Sequence, residues 1–190
     1  MINIINIIKF IGEKNSKYNF DSVKKFMPAV PVGDEGFMDE NGKQGKWEGY
    51  YDVDNVMSYI GTFKNDKKNG YWKHFYLDGK ISSKGEYKNG FKNGVWEFYY
   101  KNGQLQSKGE YKNGKRNGYV EYYFSDGNIE IKSTFKNDVV HGYWDEYNRD
   151  GQIIKREEYV NGIKNGYTIE YSNTGDVIKK LKYRNGRLIG

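Results

Sequence analysis

Two histidines, a set of recurring carboxylates and two ladders of basic residues are the side chains of this 190-residue chain whose types could do chemistry. His74 and His141 could act as a general base or as metal ligands. They fall at different points of the sequence's period, one in an expected strand and one in an expected loop, so a packed or solvated imidazole is the favoured reading. Two imidazoles are also too few for a histidine-rich metal site, and the absence of cysteine excludes disulfides and thiolate ligands. Glu97, Glu121 and Asp145 recur at intervals of 24, but each is expected to face a basic residue across a strand pair. That pairing stabilises a sheet and does not raise a carboxyl pKa as acid catalysis requires. The glycines lack the Gly-Lys-Ser/Thr ending of a phosphate-binding loop. The expectation is a protein without catalytic residues, metal or cofactor.

The basic residues point to binding. Lys84, Lys108, Lys132, Arg156 and Lys180 hold one position of the period, and Lys88, Lys112, Lys136 and Arg184 another. Stacked hairpins would space each ladder by two strand widths, ~10 Å. Such a track suits a nucleic acid or an anionic lipid surface. Tyr71, Tyr119, Tyr143 and Tyr167 lie on the same expected face, where aromatic rings between cations can stack bases. Glu86, Glu110 and Glu158 interleave the lysines, however, so a soluble, charge-mixed face that blocks edge aggregation is favoured. The net charge of +6 fits either reading.

Those ladders need elements that hold them in line. Only 36% of the residues are hydrophobic, and the mean hydropathy is −0.96, values that edge toward disorder. Against disorder, aromatics reach 17% and the 24 glycines recur regularly. The apolar surface should therefore come from Tyr and Trp on a thin sheet. No stretch approaches the ~20 apolar residues that span a bilayer. The apolar start, Met1 to Gly12, lacks a cleavage site and fits a short amphipathic helix, so a cytoplasmic location is expected.

Gly70, Gly94, Gly118, Gly142, Gly166 and Gly190 are spaced by 24, with Gly45 leading by 25. The third residue of each unit is Trp47, Trp72, Trp96, Val120, Trp144 and Thr168, and three places on stands Tyr50, Phe75, Tyr99, Tyr123, Tyr147 or Tyr171. A turn signal follows, from Asp78-Gly79 to Thr174-Gly175, then one apolar residue and a closing aromatic. Each unit ends on a second turn such as Asn89-Gly90. These dipeptides between alternating runs predict hairpins with type I′ turns. Each unit reads as strand, tight turn at Asp78-Gly79 or its equivalent, strand, and a loop such as Asn89 to Asn93. A two-residue turn there sets Trp72 opposite Gly85 and Trp96 opposite Gly109, so that an indole covers a bare glycine. It also pairs Glu97 with Lys108, Glu121 with Lys132 and Asp145 with Arg156.

The pattern Gly-x-Trp-x-x-Tyr, then Asp-Gly, an apolar residue and Tyr-x-Asn-Gly, resembles the MORN (membrane occupation and recognition nexus) repeat. Its bacterial variant, typified by the YwqK-type antitoxin family, is the nearest form. The resemblance spans Gly45 to Gly190 and implies an elongated array of stacked hairpins without a cofactor. For antitoxin-like members it implies neutralising a toxin by direct contact; other MORN proteins are scaffolds, some associated with acidic phospholipids.

The expected fold is all-β: about six 24-residue hairpin units in one elongated, twisted antiparallel sheet over residues 45–190. Residues 1–44 are expected to form an N-terminal cap, with a short helix at 20–27 and a degraded half-unit at Gly33 to Gly45. The expected function is antitoxin or immunity-type inhibition of a toxin or nuclease-like effector. A membrane scaffold and a phage-type inhibitor of a nucleic-acid enzyme are the alternatives. Trp72, Trp96, Trp144, Tyr99, Tyr123 and Tyr147 are the expected contact residues. An uncovered C-terminal edge could also pair two copies into a homodimer.

Overall fold

The computed structural model describes residues 31–190, except Val53. The expected helix at 20–27 and the amphipathic start lie outside the described residues. Fourteen strands run in chain order through one open, twisted antiparallel sheet, with no helix among the described residues. They are β1 (Pro31–Asp39), β2 (Gly42–Tyr51), β3 (Met57–Lys64), β4 (Lys67–Phe75), β5 (Ile81–Lys88), β6 (Phe91–Tyr99) and β7 (Leu105–Lys112). β8 (Lys115–Tyr123), β9 (Ile129–Lys136), β10 (Val139–Tyr147), β11 (Ile153–Val160), β12 (Ile163–Tyr171), β13 (Val177–Arg184) and β14 (Arg187–Leu188) complete it.

The sheet starts ahead of Gly45. β1 pairs along β2, so Gly33 to Gly45 supplies a half-unit of the array. The physical reason is edge satisfaction: β2 would otherwise expose a row of unpaired amides.

The two turn types are exchanged relative to expectation. Asn89 and Gly90 both have positive φ (53° and 87°), and they close Lys88 onto Phe91 as a two-residue type I′ turn. What reads as a loop from Asn89 to Asn93 is therefore a tight turn leading straight into β6. Within the unit, Gly79 donates to the Tyr76 carbonyl (2.9 Å) and Tyr76 to the Lys80 carbonyl (2.8 Å). Of the residues between them, only Gly79 has positive φ. That geometry is a type I turn closed by a glycine bulge.

The register nevertheless comes out as expected, with Trp72 opposite Gly85 and Glu97 opposite Lys108. The longer turn shifts the ladder by one residue, and a bulge between His74 and Phe75 shifts it back. A second irregularity recurs between units, where Gly85 pairs with Trp96 but Glu86 pairs with Asn93.

At that second irregularity sits the core. A Cβ on Gly85 would lie 2.5 Å from Cδ2 of Trp96, and Trp72 crowds Gly61 in the same way. Each indole thus covers the glycine of the preceding unit, where hairpin register alone suggested the glycine of its own. The Trp96 indole N–H donates to the Glu86 carbonyl (2.8 Å) and that of Trp72 to the Thr62 carbonyl (3.1 Å), at the point where the ladder opens. One residue type closes the gap, covers the glycine and satisfies the freed carbonyl.

Rings continue the contact. Trp72 lies edge-on between Phe63 (5.0 Å) and Tyr87 (5.7 Å), and Tyr87 meets Trp96 at 4.8 Å. Tyrosine hydroxyls stitch the other end of the hairpins: Tyr51 donates to the Phe75 carbonyl (2.7 Å) and Tyr100 to the Tyr123 carbonyl (2.8 Å).

Candidate functional site: two unlike faces

Side-chain alternation gives the sheet two faces. The aromatic face carries Trp47, Trp72 and Trp96, with His74, Tyr87, Phe98 and Tyr111 around them. The ladder face carries Glu97, Lys84, Lys108 and the tyrosines.

The ladder face holds the expected basic row, largely neutralised. Lys84 lies 2.9 Å from Glu97 and Lys108 lies 4.0 Å from the same carboxylate. Arg156 binds Asp145 through two contacts of 2.7 Å. Lys132 sits over the Tyr147 ring at 5.6 Å and Lys180 over Tyr167 at 4.3 Å. Tyr99 donates to Glu97 (2.6 Å) and Tyr123 to Glu121 (2.8 Å). The Tyr99 hydroxyl and the Lys84 ammonium hold the Glu97 carboxyl below the usual carboxylate range, despite partial burial. In turn, Tyr99 and Glu97 raise the Lys84 pKa above its ordinary value. Glu97 is thus an ionised partner in a charge ladder.

Of the expected contact residues, Trp72 and Trp96 are 0% exposed. They present nothing to a partner; their packing between units consumes the whole side chain, which corrects the contact role expected for them. Trp144 is half-buried and donates its indole N–H to Glu146 (3.0 Å). Tyr99, Tyr123 and Tyr147 are half-buried within the ladder. The outward aromatics are their neighbours on the same face: Tyr71 (51% exposed), Tyr119 (42%) and Tyr143 (52%), with Val95 (47%) at the matching position of β6. Sequence reasoning placed these tyrosines correctly but considered them only as base-stacking platforms. Tyr167 is half-buried under Lys180 and Lys182.

The aromatic face holds a feature that sequence reasoning missed. Lys43, Lys68, Lys92, Arg116 and Lys164 stand two residues before the leading glycines of their units, interrupted by Val140. Their heads lie over aromatic rings: Lys68 over Trp72 at 4.3 Å, Lys92 over Phe98 at 4.4 Å, and Arg116 over Phe135 at 4.2 Å. Burial lowers the pKa of Lys68, with Lys92 adding to the effect, and burial lowers that of Lys92. His74, stacked on Trp72 at 5.8 Å, is pushed down to about 4 by burial and then by those two lysines. The recurrence of this position was readable; the burial that gives it meaning was not.

Among the described residues, no group of three or more His, Asp or Glu is placed to hold a metal ion, and no helix is long and apolar enough to cross a membrane. MORN repeats are found within the hairpin array, between residues 59 and 129. The family model for the MORN repeat variant matches residues 68–89 and 92–113, and that for the MORN repeat matches residues 59–71 and 108–129. No curated protein matches the chain.

Proposed function

We propose that this chain is a non-enzymatic, protein-binding repeat protein. It acts in the cytoplasm as an antitoxin or immunity-type inhibitor, covering a bacterial toxin or nuclease-like effector by direct contact. The supporting observation is the row of exposed tyrosines, Tyr71, Tyr119 and Tyr143, on a face where Lys84, Lys108 and Arg156 sit beside carboxylates. Tyrosine anchors contribute disproportionately to protein interfaces, because a rigid amphipathic ring buries large area at low entropic cost. Lys84 and Arg156, already held by Glu97 and Asp145, have little left to offer a lipid headgroup or a phosphate backbone. The test is affinity capture from the native host at high salt, with mass spectrometry of what is retained. A stoichiometric protein that arrests growth alone, and is harmless when co-expressed with this chain, supports the reading. Capture of nothing, or binding only to anionic vesicles that vanishes with added salt, contradicts it.

A further inference from the structure

Charge is distributed unevenly along the aromatic face. Over β10–β13 its acids and bases match: Glu157 is gripped by Lys164 (2.7 Å) and Lys155 (3.1 Å), and Glu170 lies 3.3 Å from Lys179. At the β8–β10 step Arg116 pairs with Asp138 (3.1 Å). Over β4–β7 the balance fails. Lys68 and Lys92 have no carboxylate within ion-pair distance among the described residues, although both are half-buried. They stand one unit apart, Lys68 over Trp72 and Tyr87, and Lys92 beside a shallow hollow lined by Phe98, Tyr111, Tyr122 and Glu130. Lys92 overhangs that hollow, 4.4 Å above Phe98 and 5.4 Å above Tyr111.

We propose that this half of the aromatic face is a docking site for an acidic, apolar polypeptide segment of a partner, whose carboxylates pair with Lys68 and Lys92 while its apolar side chains enter the hollow. The site lies on the face opposite the exposed tyrosines and goes beyond the function proposed above. Charge complementarity is the first argument. Two partly desolvated ammonium groups one unit apart, with no carboxylate beside them, gain most from an incoming anion. A carboxylate there pairs in a low-dielectric setting where water competes poorly.

Geometry is the second argument. The two lysines are separated by two strand widths, ~10 Å. Carboxylates three residues apart on an extended segment, or seven apart on a helix, span about the same distance.

A nucleic acid fits less well. The faces of Trp72 and Trp96 are already covered by lysine heads and neighbouring rings, so they offer no stacking platform. Two free cations also release too few counterions to hold a polyanion firmly.

The test uses the full chain and fluorescein-labelled 15-residue peptides with Glu three or seven residues apart among Leu and Ala, titrated by fluorescence anisotropy. Micromolar binding of either peptide is expected, weakened at least tenfold in the same peptide with Gln for Glu and in the K68Q/K92Q double variant. K68R/K92R should restore it, and K84Q/K108Q on the other face should leave it unchanged, with circular dichroism confirming the fold of each variant. Failure of both peptides to bind overturns the proposal, as does binding indifferent to K68Q/K92Q. Equal sensitivity to K84Q/K108Q, or saturable binding of a uridine 20-mer or phosphatidylserine vesicles in place of the peptides, also overturns it.

Discussion

Trp96 occupies the point where the ladder between β5 and β6 opens, and its indole does three things there: it fills the gap, covers Gly85 and caps the Glu86 carbonyl. Removing a fully buried aromatic costs about 3–5 kcal/mol, so Trp96→Ala should lose most of the melting cooperativity of the β4–β7 region. The reciprocal change tests the same contact from the other side. Gly85→Ala would press a Cβ into the indole, and overpacking of this kind costs about 1–3 kcal/mol, measurable as a lower urea midpoint. His74 supplies a pH signature. Its folded pKa of about 4 lies below the reference value of 6.5, so the unfolded chain binds its proton first as pH falls. The linked stability is complete above pH 6.5 and is lost as pH falls toward 4, by up to about 3 kcal/mol. Urea titrations at pH 7 and pH 4.5 should therefore show a smaller difference for His74→Phe than for the parent. At this scale the sequence revealed which residues recur, because tryptophan, glycine and lysine keep fixed places in the unit. It did not reveal that Trp72 and Trp96 vanish from the surface or that Lys68 and Lys92 lack acids, since both depend on the adjoining unit's side chains.

The hairpin is the element through which those residues meet. Its glycine punctuation was legible, and so was the strand register, which places Glu97 across from Lys108. Turn chemistry was not, because Asp-Gly and Asn-Gly serve both a type I′ turn and a type I turn with a glycine bulge. The flanking bulge decides between them, and a bulge leaves little trace in composition. At Asn89-Gly90 both residues sit in the left-handed region, whereas at Asp78-Gly79 only the glycine does. A β-branched residue in that region costs at least about 1–2 kcal/mol. Asn89→Val should then lower the melting temperature clearly, while Asp78→Val, which forfeits the aspartate bond to the Lys80 amide and an exposed ion pair with its ammonium, should lower it much less.

At the scale of the whole molecule, each hairpin contacts only its neighbours, so stability is a sum of unit and interface terms. The interfaces are unequal. Rings dominate from Trp47 to Tyr111, while further along Val120, Ser133, Glu157 and Thr168 are buried in the equivalent column around Trp144, which meets Phe135 at 6.5 Å. Amide hydrogen exchange should accordingly be slowest in β4–β7 and fastest toward β13 and β14, where β14 has only two residues in the ladder. The repeat made the array itself legible, but the division of labour between the two faces is a property of stacked units. The central claim is that the exposed tyrosine row engages a protein partner. It is tested most directly by isothermal calorimetry of the captured partner against the parent chain and against the Tyr71→Ala, Tyr119→Ala, Tyr143→Ala triple variant. The prediction is a loss of at least a hundredfold in affinity with an unchanged melting temperature. Equal affinity for both proteins would contradict it.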